Sequence, residues 1–264
     1  MMNELKEIPP EYAKPCAFPG RLEEMEIPDF SGAVVYVPHG YDGDSKRYPV
    51  FYLLHGGGGD QYSFFSEDGL LKNMIDHMIA SGELSPLLIV APTYYPPGRK
   101  GDGISYSADA VKDFGPILLN KILPLVDGRY RTIPDRRSRG VGGFSMGAVA
   151  TWYILMAGTD QFHWFMPMSG DCWICGEIGG GAHAAQTAGL LAAALQGREF
   201  YIHALTGAKD IAFPNLDPQM KAMKDYSNVF GRNMKYTVLP EGEHDYAYIR
   251  RYIYNALPEL FART

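Results

Sequence analysis

The feature that most constrains this chain is a hydrophobic period that keeps changing along its length. Continuous apolar runs at 50–54, 87–91, 140–144, 164–168, 201–205 and 235–239 are separated by polar loops and by segments of helical length and spacing at 73–80, 108–126, 148–156, 182–195 and 218–230. A further helical pattern, 246–261, closes the chain. Runs without alternation suit strands covered on both faces, and covering both faces takes helices on each side. Strand, loop and helix in repeated order therefore predict a doubly wound, mainly parallel sheet. Two strand-like runs at 21–27 and 33–38, cut off by the turn Tyr41-Asp42-Gly43-Asp44, predict antiparallel strands at its start. In such a sheet ligands belong at the carboxyl ends of the strands.

The 264 residues carry no internal repeat and no Pro/Ser-rich linker, so a single domain over 1–264 is expected, with 1–20 as an irregular lead-in broken by Pro9, Pro10, Pro15 and Pro19. Composition enters as a set of exclusions. A net charge of −6 gives no footprint for a phosphate backbone, and Arg136, Arg137 and Arg139 form only an isolated basic stretch, so nucleic acid is not an expected partner. No run of about 18 apolar residues would span a bilayer, so no membrane partner is expected. The first 30 residues hold charges and prolines where a signal peptide has its apolar core. Location stays open between a secreted and a cytoplasmic protein, and the sequence does not give the oligomeric state. Three cysteines, Cys16, Cys172 and Cys175, cannot pair fully. Cys172-Trp-Ile-Cys175 has the spacing of a redox or zinc motif but no second cysteine pair and no adjacent histidine, so it reads as two loop thiols.

Chemistry concentrates at Gly143-Phe144-Ser145-Met146-Gly147, a G-x-S-x-G pentapeptide placed between an apolar run and a helical segment. A serine in so sharp a turn needs small neighbours two residues away, and the helix that follows aims backbone N–H groups at developing negative charge. A serine hydroxyl also needs a base, and on this type of sheet the order is serine, acid, histidine. Four histidines follow Ser145. His203 lies inside an apolar run and reads as a core residue, His163 stands at the entrance of a strand, and His183 sits in a Gly/Ala-rich stretch. His244, in Glu241-Gly242-Glu243-His244-Asp245, occupies a polar loop just after the last strand and is the expected base. For the acid, Asp210 follows the run 201–205, Asp171 follows 164–168, and Asp217 lies further into a helical segment; Asp210 is favoured, with Asp171 the competitor.

His55-Gly56-Gly57-Gly58-Gly59 follows the first buried strand as an HGGG-type loop would. The N–H of Gly57, or of Gly58 beside it, together with that of Met146, is expected to form an oxyanion hole. His55 itself reads as structural. The expected acyl-binding surface consists of Gly58 and of Tyr94, Trp173, Phe213 and Tyr246, aromatic residues close to strand ends, with Tyr95 nearby.

Longer stretches carry a resemblance. The run Gly143 to Tyr153, the following Phe165-Met166-Pro167-Met168-Ser169-Gly170-Asp171, Gly207-Ala208-Lys209-Asp210-Ile211-Ala212 and the closing Tyr252-Ile253-Tyr254-Asn255-Ala256-Leu257-Pro258 resemble the feruloyl (cinnamoyl) esterase modules of the first carbohydrate esterase family, from about Tyr41 onward. The resemblance implies an esterase D-like α/β-hydrolase fold and a triad of Ser145, Asp210 and His244. It also implies that hydroxycinnamoylated arabinoxylan, or an oligosaccharide from it, is the substrate, and that neither metal nor organic cofactor is needed. It leaves open acetyl xylan esterase and S-formylglutathione hydrolase-like activities, and a non-catalytic binding module on the same fold. Two places depart from the pattern. Ala148 stands where many members have glycine, and the segment 177–189 does not match the family's pattern and is expected to shape specificity.

Overall fold

The computed structural model describes residues 5–28, 30–66, 70–97 and 104–261, with 104–107 as backbone alone. Eight strands form one sheet: β1 (Arg21–Ile27), β2 (Phe30–Val37), β3 (Val50–Leu54), β4 (Leu88–Pro92), β5 (Arg139–Phe144), β6 (Trp164–Met168), β7 (Tyr201–Gly207) and β8 (Met234–Leu239). Their order across the sheet is β1-β2-β4-β3-β5-β6-β7-β8. β1 and β2 pair antiparallel, as do β2 and β4, and every later pairing is parallel. This is the mainly parallel α/β-hydrolase architecture expected, with its antiparallel strands at one side. β3, β5 and β6 are buried along their whole length because both faces are covered.

Helices supply that cover: α1 (Leu71–Ala80), α2 (Ile104–Ile117), α3 (Leu123–Arg129), α4 (Met146–Gly158), α5 (Gly179–Ala182), α6 (Ala184–Leu195), α7 (Phe213–Met223), α8 (Ser227–Phe230) and α9 (Tyr246–Phe261). The described residues form two apolar clusters, one holding Val35, Tyr52, Val149, Trp152 and Phe165, the other Tyr36, Phe51, Met166, Ile253 and Leu257. α4 is buried on nearly all sides, which its run of apolar and small residues allows.

Several boundaries differ from the sequence reading. The segment 108–126 is part of a longer helical run, α2 and α3 joined by a π-helical stretch, Leu118–Ile122, that lies between Pro116 and Pro124. Each proline lacks the N–H that a regular helix would use there. α7 begins at Phe213 and not at 218, because Pro214 sits in the first turn, where a missing N–H costs nothing. The expected helix 218–230 ends at Met223 and continues as a 3-10 turn and α8. The N-terminal lead-in is irregular from Leu5 onward apart from a 3-10 turn at Pro10–Ala13, and its residues 1–4 lie outside the described residues.

Candidate active site

Four strand ends converge. Ser145 leaves β5 in a backbone conformation of φ 55° and ψ −115°, a region that non-glycine residues seldom adopt. Two neighbours make the turn possible. A Cβ on Gly147 would run into the carbonyl oxygen of Leu54, and one on Gly143 would come within 2.5 Å of the Gly147 backbone. The turn is tied down on its far side, where the Ser145 N–H donates to the Met168 carbonyl at 2.9 Å and the Trp152 indole N–H donates to the Gly170 carbonyl at 2.9 Å. Backbone strain at the serine is thus held by the sheet beneath it.

His244 arrives from the loop after β8, and Asp210 from the loop after β7. The distance from His244 Nε2 to Ser145 Oγ is 3.0 Å, and from His244 Nδ1 to Asp210 Oδ1 2.7 Å. An ionised carboxylate only accepts, so the proton belongs on Nδ1, and Nε2 is left as acceptor for the serine O–H. Burial alone would raise the Asp210 carboxyl; hydrogen bonds from His244 and from the Ala212 N–H, with the Ser169 hydroxyl close by, outweigh it and hold the group below the usual aspartate range. Asp171, the competing acid, points elsewhere. Its oxygens accept from the Gly180 N–H at 2.8 Å and from the Trp173 indole at 3.1 Å. The other three histidines are also accounted for. His203 contacts Thr237 inside the sheet, His163 is pushed down to about 4 by burial and by Arg136 and Arg137, and His183 is exposed between α5 and α6.

Gly57 lies directly against Met146, since a Cβ on it would meet the Met146 side chain at 3.0 Å. Met146 is the first residue of α4, whose opening N–H groups have no acceptor within the helix. The two glycines differ: the N–H of Gly58 donates to the Tyr95 hydroxyl at 3.1 Å and is already engaged. His55 holds the loop from below. Burial pushes its imidazole down to about 4, so it is neutral, and it bridges the Gly56 carbonyl at 2.7 Å and the Thr93 hydroxyl at 2.9 Å.

A cavity of about 830 Å³ opens at Ser145 and His244, bounded by Gly57, Gly58 and Met146 on one side and by Trp173, Ile178, Ile211 and Asn215 on the other. Of the expected acyl-binding residues, Gly58 and Trp173 are on its wall. Tyr94, Phe213 and Tyr246 are not, and this corrects the sequence reading. Tyr94 is buried behind the glycine loop, its ring stacked on His55 with centroids 4.2 Å apart and its hydroxyl donating to the His55 carbonyl. Tyr246 packs edge-on against Phe64 and Phe144, and Phe144 in turn packs against the His244 ring. At the start of α7 it is Ala212 and Asn215 that reach the cavity, and Phe213 does not. Sequence reasoning also missed the apolar rim, Ile178 at 50% and Ile211 at 74% exposed. Ile211 directly follows Asp210, so its position along the chain was an available signal, whereas Ile178 lies in the segment 177–189, which the sequence reading did not match to the resembling family.

The Esterase family model, described as “Putative esterase”, matches residues 27–260. The chain belongs to this esterase family. Endo-1,4-beta-xylanase Y of Acetivibrio thermocellus is 35% identical over 277 residues, covering 98% of this chain and 25% of the relative, so the chain spans about a quarter of that relative's length. A serine-to-alanine mutant of the feruloyl esterase module from Clostridium thermocellum, complexed with sinapinate, superposes with a TM-score of 0.82 at 33% identity, covering 98% of this protein and 94% of that chain. A ferulic acid esterase from Anaeromyces mucronatus, at 19% identity and a TM-score of 0.71 over 97% of each chain, shares the fold.

Proposed function

We propose that this esterase hydrolyses hydroxycinnamoyl esters of arabinoxylan or its oligosaccharides through an acyl-enzyme, and that residues 1–264 act as one catalytic domain. The observation that carries the reading is the continuous chain Ser145 Oγ, His244 Nε2, His244 Nδ1, Asp210 Oδ1 at the mouth of a cavity walled by an indole and two isoleucines. Ser145 attacks the ester carbonyl while its proton passes to His244 Nε2, and Asp210 offsets the charge on the ring. The N–H groups of Gly57 and Met146 receive the oxyanion, a donor pair of which each member is worth about 3 kcal/mol in the transition state. As the intermediate collapses, His244 returns the proton to the departing sugar oxygen. Water, activated by the same histidine, then releases the acid.

A cavity of about 830 Å³ is far larger than an acetyl group needs, and Trp173 gives it a flat wall that suits a planar aromatic acid. Both features favour a hydroxycinnamate over acetyl or formyl. Ser145→Ala is expected to abolish turnover of methyl ferulate while the far-UV circular dichroism stays unchanged; retained turnover would remove the assignment. A panel of acetyl, feruloyl, p-coumaroyl and sinapoyl esters with S-formylglutathione tests the acyl preference. Labelling of Ser145 by an organophosphate tests for an active nucleophile and against a purely binding module.

A further inference from the structure

The cavity beside Trp173 accommodates one half of an ester, and the alcohol half must leave Ser145 in another direction. We infer that a second cleft, on the same edge of the sheet beyond the glycine loop, binds the neutral carbohydrate to which the acyl group is attached. The inference rests on the esterase reading above and adds a subsite to it.

Topology places the cleft. β2 runs against β4, and Ala33 near its start pairs with Pro92 at the carboxyl end of β4. β1 runs against β2, with Met25 opposite Ala33 and Ile27 opposite Phe30. The end of β1 and the start of β2 therefore open on the edge of the sheet that carries Ser145, Asp210 and His244. A cleft of about 730 Å³ lies there, lined by Glu24, Glu26, Phe30, Ser31, Gln61 and Tyr62 among others. Tyr62 comes five residues after Gly57, so even a fully extended chain would separate their Cα atoms by at most about 18 Å. A sugar of two or three residues attached at the ester oxygen spans that distance.

The lining suits a saccharide and little else. The Tyr62 ring is 42% exposed, and its position is fixed at both ends, by its hydroxyl donating to Glu24 Oε1 at 2.7 Å and by its N–H donating to Asp60 Oδ1 at 3.0 Å. An exposed, immobilised aromatic face stacks on the C–H face of a pyranose at low entropic cost. Around it, the exposed Glu24 and Glu26 carboxylates accept from hydroxyl groups, and the Gln61 amide both donates and accepts. The two carboxylates disfavour phosphate or carboxylate ligands, and the alcohol half of the proposed ester is itself an uncharged sugar.

The test compares two substrates that share an acyl group. In Tyr62→Ala and in Gln61→Ala, kcat/KM for a feruloylated arabinoxylan oligosaccharide is expected to fall about tenfold relative to kcat/KM for methyl ferulate, chiefly through KM, and Tyr62→Phe is expected to restore most of the ratio. An unchanged ratio in both alanine variants overturns the inference. A second measurement is independent of turnover: calorimetric binding of unesterified arabinoxylan oligosaccharide to Ser145→Ala, expected to disappear when Tyr62→Ala is added. Binding unaffected by Tyr62→Ala would sink the cleft even if the enzyme hydrolyses ferulate. Wild-type protein that binds the oligosaccharide through Tyr62 yet hydrolyses no hydroxycinnamate would instead sink the esterase reading and leave the cleft standing.

Discussion

Asp210 and Asp171 stand at the carboxyl ends of neighbouring strands, each only 3% exposed, yet they carry opposite electrostatics. Asp210 meets an imidazole and a backbone N–H, and its carboxyl lies below the usual range. Asp171 meets one backbone N–H and one indole N–H, and burial pushes its carboxyl up despite them. Low exposure to solvent therefore does not by itself set the direction of the shift; the balance between burial and the kind of donor turned toward each carboxylate does. Asp171 instead fastens the cavity wall, since its two donors belong to Trp173 and to the start of α5.

Exchanging each acid for its amide breaks this comparison if the two variants behave alike. Asp210→Asn is expected to lower kcat about 10⁴-fold on every ester, because an amide no longer holds the Nδ1–H tautomer; steady-state kinetics on methyl ferulate and on a small acetyl ester checks it. For Asp171→Asn the expected change is about tenfold in KM for hydroxycinnamates, with a smaller change for the acetyl ester, since what loosens is the indole wall and not the proton path. An equal loss of kcat on both substrates would place Asp171 in the proton path after all.

The subtlest difference is the sign of the pH dependence. Asp210, with a folded-state pKa below its ordinary 3.8, contributes stability that is present above that value and is lost as pH falls through the lower folded one. Asp171, raised above 3.8, does the reverse: its contribution is present below 3.8 and is lost as pH rises through the folded value. Urea unfolding of wild type and of both amide variants between about pH 3 and pH 7 is expected to give difference curves of opposite slope. Slopes of one sign would contradict the comparison.

The same contrast explains what was legible in the sequence. β1, β3, β6 and α9 fall at the residues their periodicity indicates, because apolar runs and helical spacing are local. Ser145, His244 and Asp210 were legible because each follows a strand in a parallel sheet, which limits how far apart their side chains can be. The same reasoning puts Gly57 beside Met146, and the two lie against each other on the cavity wall. Tyr94, Phe213 and Tyr246 were not, since nearness to a strand end does not say which way a ring turns, and two of these rings pack behind the site. The wall formed by Ile178 depends on how α5 settles against α7, a non-local outcome that no short window of sequence encodes.

β8, which delivers the histidine, lies at the outer margin of the sheet, and all but its last residue is only partly buried, while β5 beneath the serine is buried throughout. One partner of the Ser145–His244 contact is anchored in the stiffest part of the molecule and the other hangs from one of its softest. Mild heating or denaturant is therefore expected to disengage the imidazole while the central strands stay paired, so that turnover falls before the far-UV circular dichroism changes.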